Sequence, residues 1–93
     1  MELGTLCDEA KGIITGERQD SYGAPEFSFA IIADYWTTYL GLSGNDALKQ
    51  LDVAHMMMLF KLARCQGQKP ARDNYRDLIG YADIAANRCL EVE

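Results

Sequence analysis

Lys61 and Arg64 stand three residues apart in an otherwise apolar stretch that runs from Met57 through Phe60 and includes Leu62 and Ala63. On a helix, that spacing puts both cationic heads on one side. Such a pair suits a phosphate oxyanion, because Arg offers a bidentate fork and Lys a compact charge. Asp73 and Asp77, four apart and a short way further on, are the carboxylates that would neutralise or orient them. Charges rooted in an apolar helix need such partners, since an unpaired buried charge is very costly. The pattern has two readings: a salt-bridge network that staples two helices, or the same network with its cations able to hold phosphate.

Charge along the chain sharpens the question. Lys61, Arg64, Lys69, Arg72 and Arg76 are five of nine Lys and Arg residues and fall within sixteen positions, with Asp73 the only acid among them. That segment carries +4 and the other 77 residues carry −9. Concentrating cations against the overall field calls for an anionic ligand or a ring of ion pairs, although solvated helix ends would give the same composition. A net charge of −5 argues against broad binding to a long nucleic acid.

Two further groups bear chemistry. The segment 16–24 places Arg18, Asp20 and Tyr22 between Gly16 and Gly23, a loop able to fold over a ligand with a cation, an aromatic face and backbone donors. Tyr22 would stack a base or cap the apolar core, with Trp36 and Tyr81 as further platforms. Asp52 and His55, three apart, could act as acid and base, but no third His or Cys completes a metal set. Asp52, Asp73, Asp77 and Asp83 are oxygen ligands of the type Mg²⁺ takes, without a tandem pair of glutamates. No P-loop, nucleophile elbow or Cys/His couple occurs, so no catalytic residue is singled out.

Positioning these residues takes four helices and no strand. The apolar spacing predicts a first helix from about Leu3 to Thr15 and a second opened by Pro25 and closed by Gly41, with Phe29, Ile32, Trp36, Tyr39 and Leu40 on its inner face. Ser43 is expected to cap a third helix over about 45–66, either continuous or as a short turn before a helix starting near Leu51. Gly67 and Pro70 mark its stop. Asp73 is expected to cap a fourth from Asn74 to about Leu90, with Tyr75, Leu78, Ile79, Ala82, Ala85, Ala86 and Cys89 as its apolar set. The reading is one all-α domain over 1–93, a small antiparallel bundle.

A chain of 93 residues that is 48% hydrophobic has more apolar matter than one small core holds, so a homo-oligomer, most simply a dimer, is expected. Cys7, Cys65 and Cys89 are dispersed and odd in number, as for free buried thiols in a reducing cytoplasm. No signal-like or membrane-spanning run is seen in the sequence.

Ordered motifs cover most of the chain: Ile14, Thr15, Gly16 and Arg18 with Tyr22 and Gly23; Asp52, Val53 and Ala54 with Met56, Met57, Lys61, Ala63 and Arg64; and Asp73 and Asp77 with Gly80, Tyr81 and Ala82. This series resembles a family of small phage and prophage proteins. It is distantly similar to phage nucleotide-modification-associated domains and, more weakly, to all-α MazG-like nucleotide pyrophosphohydrolases. The resemblance implies a four-helix core that handles nucleotides, with Arg18, Tyr22, Asp52, Lys61, Arg64, Asp73, Asp77 and Tyr81 at the matching polar positions. The glutamate pair that holds magnesium in MazG-like enzymes is absent here. The leading expectation is therefore a binder of a nucleotide or nucleotide-derived signal, through Arg18, Tyr22, Lys61, Arg64, Asp73, Asp77 and Tyr81, acting in the cytoplasm of an infected bacterium as a counter-defence sponge. A Mg²⁺-dependent pyrophosphohydrolase is the second reading. An inhibitor of a host or defence protein, working through its acidic or aromatic surface, is the third.

Overall fold

A computed structural model of the chain describes residues 5–15, 24–67 and 71–90, with the backbone alone for 12–15. The described residues form an all-α bundle: α1 (Thr5–Thr15), α2 (Pro25–Leu40), a 3₁₀ turn (Gly44–Asp46), α3 (Gln50–Gly67) and α4 (Arg72–Ile84), which widens into a π turn (Ala85–Cys89). No strand occurs among them.

Local chemistry sets these bounds. Pro25 fits the first position of α2, where its missing N–H has no helical partner to lose, and Glu26 faces the positive end. Gly41 ends α2 at φ 70°, a left-handed conformation that favours glycine, and the amide of Gly41 donates to the carbonyl of Thr38. Of the two arrangements expected before α3, the short turn is the one found, a 3₁₀ turn and then a helix from Gln50. Ser43 makes no side-chain cap. The start of α3 is held from the other side: the Lys49 amide donates to Asp52 Oδ2 at 2.9 Å, the backward half of a capping box.

Helix α4 begins earlier than expected. Ala71 is its extended N-cap and makes no side-chain bond, so Asp73 lies inside the first turn and complements the helix dipole without capping.

The core is small and lies at one end. Phe29 and Ala33 of α2, Val53 and Ala54 of α3, and Ile84, Ala85 and Cys89 of the α4 end form one buried cluster, flanked by half-buried Ile32, Trp36, Leu48, Leu51, Met57 and Tyr81. Excluding water from side chains of this size contributes about 1.5–3 kcal/mol for each fully buried Val, Ile or Phe. Several residues expected inside are not. Tyr39, Leu40 and Tyr75 are exposed, as are Met56, Leu59, Phe60 and Leu62, so α3 is buried on one side only. Helical spacing marks a face, but a helix that runs past its neighbours leaves that face in water.

Antiparallel packing of α3 and α4 follows from the pairs that join them. Arg64 meets Asn74 near the link between the helices, and Lys61 meets Asp77 one turn further along both. Helix α1 lies against α4, where Glu9 pairs with Arg72 at 3.1 Å and Ala10 is buried. The three cysteines are free thiols, but only Cys89 is buried, while Cys65 is half-buried and Cys7 exposed. Burial pushes the Cys89 thiol up from its ordinary value, and the charge of Glu26 adds to this against the opposing Arg88.

Candidate functional site

The link-proximal halves of α3 and α4 carry the polar cluster that the sequence points to. Asp77 is its centre. Lys61 Nζ lies 3.0 Å from Asp77 Oδ2, and Arg76 Nε and Nη2 lie 3.2 and 3.1 Å from Oδ1, so one carboxylate serves two cations. The side chains of Lys61 and Asp77 are only 15% and 20% exposed. Burial alone would raise the pKa of Asp77, yet hydrogen bonds from Lys61 and Arg76, with their charges, hold it below its ordinary value.

Arg64 belongs to the same surface by a different contact. Its Nε donates to Asn74 Oδ1 at 3.2 Å, and Asn74 is buried at 8% exposure. A buried amide fixes the plane of the guanidinium while using one of its five donors. Phe60, 48% exposed, sits beneath both cations: Lys61 Nζ is 5.6 Å and the Arg64 guanidinium carbon 5.7 Å from its ring centroid. Cations over a ring face are attracted by its quadrupole. Lys61 and Arg76 thus share one carboxylate while Lys61 and Arg64 share one half-open aromatic ring, a local excess of positive charge on an acidic chain.

Of the residues expected here, Lys61, Arg64 and Asp77 come together. Asp73 is exposed in the first turn of α4, and the partner of Arg64 is its neighbour Asn74. Tyr81, one turn beyond Asp77, is half-buried against the core with its ring 6.2 Å from that of Phe29, so it is a packing residue in this arrangement. Trp36 is likewise packed on the core. Arg18, Tyr22 and Lys69 lie outside the described residues.

Asn74 and Phe60 were missed from sequence, where they read as a helix start and an apolar position. The signal for Asn74 is its place three residues before Asp77, on the face that meets α3. The carboxylates considered for magnesium do not converge: Asp52 caps α3, Asp77 is committed to Lys61 and Arg76, and no group of three His, Cys, Asp or Glu residues among the described ones is placed to hold a metal ion. His55 is exposed. No described helix is long and apolar enough to cross a membrane.

Comparison with known proteins places the chain in a family. The profile of a domain of unknown function, DUF6378, matches residues 5–89, and the chain belongs to that family. A relative, the Gene 55 protein of Mycobacterium phage D29, is 37% identical over 78 residues, covering 84% of this chain and 49% of the phage protein. The chain therefore spans about half the length of the curated relative it matches. No solved structure matches it.

Proposed function

We propose that this DUF6378 protein of phage type binds a small phosphate-bearing nucleotide, or a molecule derived from one, at the α3–α4 cation cluster. The observation that carries the reading is the grouping of three cations through Lys61, which shares the carboxylate of Asp77 with Arg76 and the ring of Phe60 with Arg64. One carboxylate neutralises one of these charges, and a phosphate oxyanion would neutralise more. In this reading Lys61 and the terminal amino groups of Arg64 engage the phosphate, Asp77 keeps Lys61 and Arg76 in place, and Asn74 sets the plane of the Arg64 fork. The exposed ring of Phe60 offers the base a stacking face, which every base accepts. Arg18 and Tyr22, which lie outside the described residues, are the further candidates for holding the ligand.

A protein that holds such a molecule without turning it over removes it from solution. In an infected cell this would act as a sponge for a nucleotide signal, which is the role we assign. Binding is favoured over Mg²⁺-dependent hydrolysis because Asp52 is engaged at the start of α3 and Asp77 is doubly ion-paired. The test is to incubate the protein with a panel of linear, cyclic and ADP-ribose-type nucleotides, with and without Mg²⁺, then filter, denature and identify the retained compounds by mass spectrometry. A compound retained and released intact supports the reading. Conversion that needs Mg²⁺ supports the hydrolase, and neither retention nor conversion removes both.

A further inference from the structure

Helix α2 carries an unpartnered ridge. Phe27, Ile31, Tyr35 and Tyr39 follow each other at four-residue steps and are 69%, 58%, 73% and 89% exposed. Four-residue steps advance about 40° around a helix, so the four side chains form one continuous slanted row rather than scattered surface positions. The opposite side of α2, at Phe29 and Ala33, is the one packed on the core. On the ridge's flank, Ala30, Ala33 and Asp34 line a groove of about 630 Å³ whose other wall is formed by Leu48, Leu51 and Leu90. Ridge and groove thus lie side by side on one helix.

Area argues that something covers this face. The ridge with neighbouring Leu40 accounts for about 600 Å² of exposed apolar side chain, taking aromatic residues at 150–250 Å² each. A standard interface takes about 800 Å² from each partner. The ridge with the rim of its groove comes to about that size, which is what one copy of a stable homodimer would bury.

We infer that α2 is the contact face of a homodimer, the occupant being a second copy of this chain related by a two-fold axis. A row at four-residue steps packs into the groove beside the same row on another helix at a crossing angle of about −50°. A two-fold axis makes the fit reciprocal: the Ile31 and Tyr35 ridge of each copy fills the groove beside Ala30 of the other. Ala30 permits the close approach, and Phe27 and Tyr39 lie at the two ends of the contact.

The test uses the full chain. Sedimentation equilibrium is expected to give a dimer at micromolar concentration, with Tyr35→Glu weakening association at least tenfold and Leu59→Glu, an exposed apolar position on α3, leaving it unchanged. A wild type that stays monomeric at all concentrations overturns the inference, as does a dimer indifferent to Tyr35→Glu. Hydroxyl-radical labelling of the wild type covers the case in which Tyr35→Glu fails to fold. Tyr35 and Tyr39 are expected to lose several-fold reactivity as the protein is concentrated, while Tyr75 keeps its own. Equal labelling of all three, in an assembly of any size, overturns it too.

Discussion

Lys61 and Asp77 lie 3.0 Å apart across the antiparallel contact of α3 and α4, and Asp77 gives its second oxygen to Arg76. This carboxylate links the fold to the site. It fixes two helices in register, and it holds two of the three cations that would face a phosphate. Asp77→Asn should therefore destabilise the chain by about 1–2 kcal/mol, between an exposed ion pair and a buried one broken on one side. Urea denaturation checks the value. Its pH dependence has a definite sign. The folded state lowers the pKa of Asp77 from 3.8, so the pair's contribution is full above 3.8 and is lost as the pH falls through the lower folded value. The stability gap between wild type and Asp77→Asn should narrow below pH 3.8 and not above it.

Asn74 is the buried end of the Arg64 contact. Asn74→Ala removes one hydrogen bond and should cost about 1 kcal/mol of stability. It should also weaken nucleotide binding, because the guanidinium loses the contact that sets its plane. A double-mutant cycle with Arg64→Ala is expected to be non-additive in binding free energy. Additive losses would mean that Asn74 does not act through Arg64.

Phe60 separates a stacking role from a packing role. The ring is about half exposed, so Phe60→Ala should change stability by well under the 3–5 kcal/mol typical of a buried Phe. Loss of a stacked base should lower affinity by about 1–3 kcal/mol, measured by calorimetric titration with the retained nucleotide. Phe60→Tyr should restore most of it.

Ala71 caps α4 in an extended conformation, φ −116° and ψ 143°, without a side-chain bond. That geometry suits Ser or Asp, whose oxygen accepts from an amide of the first turn. Ala71→Ser should stabilise the protein by about 0.5–1 kcal/mol, seen as a raised urea midpoint with an unchanged slope.

What the sequence disclosed follows from which signals are local. Pro25 and Gly41 bracket α2 because proline and a left-handed glycine act on their own turn. The +4 segment led to Lys61 and Arg64, and the four-residue spacing from Asp73 led to Asp77, since residues three or four apart on one helix share a side. Asn74 stayed hidden because its role depends on how far α4 extends towards the link, and Ala71 gave no capping signal from which to read the start. Tyr81 lies apart from the cluster for a related reason. One turn beyond Asp77, the contact between α3 and α4 passes from the polar cluster into the core around Phe29, a change that no spacing rule announces. Tyr39 and Leu40 shared the spacing of Phe29 and Trp36 but lie at the end of α2, in water.

The most direct measurement is calorimetric titration of wild type, Lys61→Ala and Arg64→Ala with a nucleotide retained from the panel, at low and moderate salt. The account expects one site per chain, affinity that falls as salt rises, and a loss of at least about tenfold in each variant, as for a charge-assisted hydrogen bond. Affinity left unchanged by both substitutions, or no nucleotide retained by the wild type, would contradict it.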